Sequence, residues 1–274
     1  MPDNLYETPD PQIDVDGVKI DLRVKGSGRP LLFLQGIESW IRDETFSDEL
    51  AKQFKVYLPQ NPGFGHSELP DDFYNIGDFA NFYLTMLDEL DLRDVVVVGT
   101  SFGGWIAAEL ASRSCERLGA VVLANPFGIR ISDDPLRRDI KDIYAMSQAE
   151  VADHFYHDPE ANRRDVTQLP DHTLVAIARS RETMCLFGWE PYMHNPSLKR
   201  WLKRINVPTL VLWGEGDKLM STDYGRAYAG LIPNSTFRTI EEAGHYPHVE
   251  RPADFVRHII AFADEPAAQM RISA

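Results

Sequence analysis

The stretch Val95-Val96-Val97-Val98-Gly99-Thr100-Ser101-Phe102-Gly103-Gly104-Trp105 sets a serine between two glycines, each two residues away. A strand-like run of valines precedes it and a helix-forming stretch follows. In that setting a Gly-x-Ser-x-Gly sequence turns sharply from strand to helix and leaves the hydroxyl exposed on a strained backbone. Only small flanking residues let strand and helix approach so closely. The helix starting just past Ser101 also offers backbone N–H groups to an anion. The chemistry is nucleophilic attack, which a hydroxyl performs only with a base that is itself held by an acid. Leu210-Val211-Leu212-Trp213-Gly214-Glu215-Gly216-Asp217 reads as a strand entering a glycine loop closed by a carboxylate. Residues 235–240 read as a short strand, followed by Glu241-Glu242-Ala243-Gly244-His245. In this arrangement Asp217 fixes the tautomer of His245, and His245 takes the Ser101 proton and later gives it to the leaving group. Glu215 is the competing acid; the position after the Gly-x-Gly step favours Asp217.

These residues need a scaffold that brings three distant loops together. Continuous apolar runs of strand length recur at 31–34, 56–58, 95–98, 120–123 and 209–213, bounded by Gly, Pro or Asp. That is the pattern of parallel strands buried on both faces. Val18, Ile20, Leu22 and Val24 alternate with polar residues instead, as in a strand with one covered face. Ile76, Phe79, Ala80, Tyr83, Leu84, Leu87 and Leu90 form one apolar helical stripe. Trp105, Ala108, Glu109 and Ser112 lie on the helix after Ser101. Repeated strand–helix alternation predicts an α/β fold, a mostly parallel central sheet with helices on both faces. From about Phe127 to Lys203 strand patterns are absent and helical ones appear at 134–145, 149–156, 171–184 and 196–203. The expected organisation is a core of residues 1–126 and 204–274. Residues 127–203 form a helical cap inserted before the strand that carries the acid, over the sheet edge where ligands bind.

The 274 residues include 28 Lys and Arg against 42 Asp and Glu, a net charge of −14, with 43% apolar and 11% aromatic residues. This apolar content excludes a disordered chain, and the acidic balance excludes a basic nucleic-acid-binding surface. It also disfavours a strongly anionic substrate unless cap arginines such as Arg179 or Arg181 offset the charge. Cys115 and Cys185 make no disulfide framework and lack metal-ligand spacing. His248 has no His-Glu-x-x-His pattern around it. No metal and no cofactor is expected. With no visible secretory signal and no run of about 18 apolar residues, the expectation is a cytoplasmic protein. Its partner is a small-molecule substrate, not nucleic acid or membrane, and it is a monomer or homodimer.

The chain resembles the α/β-hydrolases that carry a helical cap, from about Val18 to Phe262. The resemblance rests on Gly99-Thr100-Ser101-Phe102-Gly103-Gly104, on Trp213-Gly214-Glu215-Gly216-Asp217, and on Ala243-Gly244-His245 followed by Val249-Glu250-Arg251-Pro252. Asn61-Pro62-Gly63-Phe64-Gly65-His66-Ser67 resembles the family's turn after its second parallel strand, and all four segments stand in the family's order. The resemblance implies the α/β-hydrolase fold and an oxyanion hole built from the backbone N–H groups of Ile37 and Phe102. Where the family commonly has His-Gly, this chain has Gln35-Gly36; Gly36 keeps the close backbone approach. Losing one such donor costs about 10²–10³ in rate, so the shape of this loop matters more than its side chains. Glu38, Asn125, Trp189, Tyr192 and Tyr246 are candidate substrate-pocket residues. Packing is the competing reading for Trp189, Tyr192, Met193 and Cys185.

The combined expectation is a metal-independent serine hydrolase that cleaves a small carboxylic ester or lactone through an acyl-enzyme on Ser101. Carbon–carbon bond hydrolysis of a diketone and perhydrolase chemistry use the same triad. A slow-turnover ligand receptor that retains the triad is the alternative from another class. Because the base must start as a neutral imidazole, turnover is expected to fall below about pH 6–7. A rate that stays flat between about pH 5 and 8 would exclude His245 as the base.

Overall fold

The computed structural model describes residues 11–37, 45–134, 138–162 and 168–264. Among them, eight strands form one sheet: β1 (Gln12–Val15), β2 (Val18–Gly26), β3 (Arg29–Leu34), β4 (Phe54–Pro59), β5 (Val95–Thr100), β6 (Leu118–Ala124), β7 (Thr209–Gly214) and β8 (Ser235–Ile240). Their order is β1-β2-β4-β3-β5-β6-β7-β8. The β1–β2 and β2–β4 pairs are antiparallel and all later pairs are parallel. β1 escapes a sequence reading because Gln12-Ile13-Asp14-Val15 has only two apolar residues. Its pairing comes from the turn at Asp16 and Gly17, whose φ values of 50° and 82° suit a tight hairpin.

The two-residue period of the strands sorts the apolar side chains into two cores. Leu32, Leu34, Val95, Val97, Val121, Leu123, Val211 and Trp213 face one side, whereas Leu31, Phe33, Val96, Val98, Val122, Leu210 and Leu212 face the other. Helices α1 (Thr45–Leu50) and α10 (Pro252–Ala263) cover the second side, with Phe46, Leu50, Phe255, Ile259 and Phe262 packed inward. Helices α2 (Ile76–Glu89), α3 (Ser101–Arg113) and α8 (Thr222–Ala229) cover the first. The Asn75–Asp78 capping box fixes the start of α2: Asn75 accepts from the Gly77 N–H, and Asp78 accepts from the Asn75 N–H. With both faces of the parallel strands covered, their C-terminal ends form one open edge.

Between β6 and β7 the described chain contains no named strand. It holds α4 (Gln148–Phe155), α5 (Pro159–Asn162), α6 (Asp171–Gly188), α7 (Leu198–Trp201) and single 3₁₀ turns at Ile143–Ala145 and Leu202–Arg204. The helix expected over 134–145 does not form in its described part beyond that first turn. There the Asp139 carboxylate accepts the N–H groups of Ile131 and Ser132 at 2.7 and 2.9 Å, and Asp142 accepts from Tyr144 at 3.1 Å. The Asp142 bond caps that turn, and the Asp139 bonds hold the backbone just before the stretch. The insertion leaves and rejoins the core side by side, through Gly128 N–H to Met193 O (3.0 Å) and Asn195 N–H to Gly128 O (2.9 Å). No helix among the described residues is long and apolar enough to cross a membrane.

His248, on the short helix α9 (Pro247–Glu250), lies fully buried among the rings of Phe33, Phe46, Tyr246 and Phe255. Neither ring nitrogen has a hydrogen-bond partner among the described residues. Burial, with a smaller contribution from His245 nearby, lowers its pKa to about 3. The unfolded chain therefore takes up this proton at an ordinary histidine pKa and the folded chain does not. Stability from this group is fully present above about pH 6.5 and is lost as the pH falls toward the folded value. His248→Phe is expected to reduce the drop in Tm between about pH 7 and 4.5 relative to the wild type. Equal drops in the two proteins would remove His248 as a source of acid sensitivity.

Candidate active site

Five strand ends meet at the open edge. β3 leads into Gln35-Gly36-Ile37, β5 into Ser101, β6 into Asn125, β7 into the loop holding Asp217, and β8 into the loop holding His245. Ser101 has φ +53°, a left-handed conformation that an ordinary residue adopts only under constraint. The constraint is close packing. A Cβ on Gly103 would run into the Leu34 carbonyl, and one on Gly99 would meet the Gly103 carbonyl at 2.5 Å. Helix α3 is thereby held against the ends of β3 and β5, with its first-turn N–H groups at the edge and no acidic residue in that turn.

His245 Nε2 lies 2.8 Å from Ser101 Oγ, and its Nδ1 lies 2.9 Å from Asp217 Oδ2. With the carboxylate accepting from Nδ1–H, Nε2 of the neutral ring is free to accept the serine proton. All three residues are buried: Ser101 is 1% exposed, His245 0% and Asp217 8%. Asp217 Oδ1 accepts the N–H groups of Leu219 and Met220 at 2.8 and 3.1 Å, and Oδ2 also accepts from the Asn125 side chain at 2.7 Å. Asn125, expected in the pocket, therefore has its amide occupied at both ends, since its Oδ1 accepts from Gly214 N–H at 3.1 Å. The His245 ring is stacked against Phe127 at 5.2 Å and meets the edge of Phe155 at 4.9 Å.

The cap helps build the histidine and acid loops. His245 N–H donates to Phe155 O (2.6 Å), and Lys218 N–H to His154 O (3.2 Å). Glu250, quoted above only as part of a motif, accepts the N–H groups of Gly244, His157 and Asp158 at 2.6, 2.9 and 3.1 Å. Partial burial raises its carboxyl pKa above the ordinary range, and these three donors oppose the rise. Arg179 is not available to a substrate anion. Its guanidinium donates to the carbonyls of Gly65 (2.6 Å) and Ser67 (3.0 Å), which ties α6 to the loop after β4.

The remaining expected pocket residues scatter. Trp189 is 55% exposed and lies against Tyr144, on the outside of the cap. The Tyr192 hydroxyl accepts from Ile143 N–H and donates to Lys141 O, so this residue braces the cap internally. Tyr246 is buried, and its hydroxyl donates to Ile37 O at 2.9 Å. Glu38 lies outside the described residues. Gln35, in place of the family's histidine, is buried and donates to Gln60 Oε1 at 2.6 Å. The site thus brings Ser101, His245 and Asp217 into one buried hydrogen-bonded chain beside the loop after β3. Among the described residues no cluster of three or more His, Cys, Asp or Glu could hold a metal ion.

Residues 31–258 match the profile of the alpha/beta hydrolase family. The chain belongs to that family. This alpha/beta hydrolase is 26% identical over 272 residues to a 2-hydroxymuconate semialdehyde hydrolase from Pseudomonas sp. (strain CF600), with 94% of each chain covered. It is 29% identical over 258 residues to the non-heme chloroperoxidase CPO-A1 of Kitasatospora aureofaciens, covering 84% of this chain and 90% of that one. Among solved structures, the esterase RhEst1 from Rhodococcus sp. ECU1013 superposes with a TM-score of 0.74 at 21% identity, over 93% of this chain and 98% of that one. Hydrolase activity is supported by these relatives, while their chemistries differ.

Asn125 is the residue whose role the geometry changes most. Asn125→Ala removes one of four donors to Asp217 and is expected to lower kcat about 10- to 100-fold with little change in KM, the usual range for a hydrogen bond to a charged group. Steady-state kinetics on an aryl ester turned over by the wild type would test this. An unchanged kcat would mean that the other three donors suffice to orient the acid.

Proposed function

We propose that this alpha/beta hydrolase is a serine hydrolase acting on a small carboxylic ester or lactone. The observation that carries the reading is the continuous hydrogen-bond chain Ser101–His245–Asp217, at 2.8 and 2.9 Å, on a serine held at φ +53°. Ser101 Oγ attacks the carbonyl carbon as His245 Nε2 takes its proton. The oxyanion forms against the backbone N–H groups of Ile37 and Phe102. Collapse of the tetrahedral species expels the alcohol, which receives the proton from His245, and leaves an acyl-ester on Ser101. Water then attacks the acyl carbon, with His245 again as base, and the acid leaves.

Carbon–carbon bond hydrolysis of a ring-cleavage diketone is the second reading. It is favoured by the similarity over 94% of both chains to the 2-hydroxymuconate semialdehyde hydrolase. The two are separated by a hydrolysis panel of short and long acyl esters, lactones and vinylogous diketones, run beside Ser101→Ala. The expected outcome is multiple turnover of a short ester or lactone, stoichiometric labelling by a fluorophosphonate, and loss of both in Ser101→Ala. Turnover of the diketones alone would establish the second reading. Labelling without turnover would mark a ligand receptor, and no labelling would overturn the assignment of Ser101.

A further inference from the structure

The loop that carries Ile37 is tied on both sides, by residues adjacent in sequence to Ser101 and His245. We propose that Thr100 and Tyr246 are positioning residues for the oxyanion hole, bracketing the peptide that presents the Ile37 N–H. The inference rests on the proposed role of Ile37 as an oxyanion donor.

On one side, Gly36 N–H donates to Thr100 Oγ1 at 3.0 Å. Thr100 occupies the N-cap position of α3, where a threonine hydroxyl ordinarily accepts an N–H from the first turn of its own helix. Here it makes no such bond. The hydroxyl reaches across to the loop after β3, and the first-turn N–H groups of α3 are not satisfied by their own cap. On the other side, Tyr246 Oη donates to Ile37 O at 2.9 Å. The Tyr246 ring is 3% exposed and held between Phe155, Tyr156 and His248, at centroid distances of 5.2, 6.1 and 5.6 Å. Its direction is therefore fixed by packing.

The Gly36–Ile37 peptide lies between these two bonds. Gly36 N–H and Ile37 O belong to the peptides on either side of it, so a displacement of the loop that carries the Ile37 N–H would break one or both bonds. The loop also runs between the two anchors: a Cβ placed on Gly36 would lie 2.9 Å from Ser101 Cβ and 3.3 Å from Tyr246 Cε1. Because Thr100 precedes Ser101 and Tyr246 follows His245, nucleophile, base and donor share one frame. A phenol has a single proton to donate, and Tyr246 gives it to Ile37 O. This differs from a substrate-contacting tyrosine, whose removal would weaken substrate binding.

The test compares the wild type with Tyr246→Phe, Thr100→Val, the double variant and the conservative Thr100→Ser. Two readouts are used: hydrolysis of a short-chain p-nitrophenyl ester, and inhibition by an alkylboronic acid, which forms a tetrahedral adduct with a nucleophilic serine. Each bond-deleting variant is expected to lose about tenfold in kcat, less than the 10²–10³ seen when a donor is removed outright. KM and the acid limb of the pH profile should stay within twofold of the wild type, and the boronate inhibition constant should rise in step with the fall in kcat/KM. The double variant should fall little below the worse single one, since both bonds hold the same short loop, and Thr100→Ser should retain near-wild-type kcat. If Thr100→Val fails to fold, the isosteric Tyr246→Phe carries the test alone. A kcat/KM within twofold of the wild type in Tyr246→Phe would overturn the proposal, as would a raised KM at unchanged kcat. In either case, loss of turnover in Ser101→Ala would leave the serine mechanism standing. Turnover that survives in Ser101→Ala would overturn the mechanism itself, and the positioning role with it.

Discussion

Gly103 lies so close to the Leu34 and Gln35 carbonyls that no side chain fits between them. That contact between the first turn of α3 and the end of β3 governs the rest of the site. It leaves the chain no room to pass from β5 into α3 through a relaxed turn, so Ser101 is held at φ +53°. Such strain persists only where the surroundings over-determine it. Here they do: β5 is buried along its whole length, and Ser101 O accepts from Phe127 N–H at 3.2 Å. The same contact brings the β3 loop beside Ser101, where a Cβ placed on Gly36 would lie 2.9 Å from the serine Cβ.

The cap shares in this frame and is more than a cover laid over it. The end of α4 supplies carbonyl acceptors to both the histidine and the acid loops, and Glu250 gathers N–H groups from the histidine loop and from the segment after α4. On the opposite side, Arg179, Ser180 and Thr183 of α6 bond Gly63, Gly65 and Ser67 in the loop after β4. Phe64 of that loop stacks on Phe102 at 5.6 Å. A substitution in α6 can thus reach the candidate donor at Phe102 through two packed contacts, without touching a substrate.

Much of this architecture is legible in the residues because it depends on local pattern. Valine runs mark β5, a 3.6-residue stripe marks α2, and small residues around Ser101 mark the turn. The failures also have local causes. The stretch 134–145 has helical periodicity, yet its described part forms only the turn Ile143–Ala145, capped by Asp142, while Asp139 holds the N–H groups of Ile131 and Ser132 just before it. β1 has almost no apolar signal and exists through its partner strand. Asn125 is recognisable as a polar residue after a buried strand. Its direction is set by β6 lying beside β7, which puts its amide between Asp217 and Gly214. Glu250 follows His245 by five residues, a spacing that could have flagged it; its partners at His157 and Asp158 are 93 and 92 residues away.

The sequence by itself determined the fold class, the order of the three chemical groups and the strand that precedes each. Those properties follow from periodicity and turn chemistry, which act over a few residues. Only the tertiary structure decided which side chains face one another across the edge. It placed Asp217 within reach of Asn125 and Thr100 within reach of Gly36, and it directed Arg179 to loop carbonyls. Pairings of this kind depend on which loops adjoin and on how closely two backbones approach. Neither is encoded in a local pattern, because each is settled by packing between residues far apart in the chain.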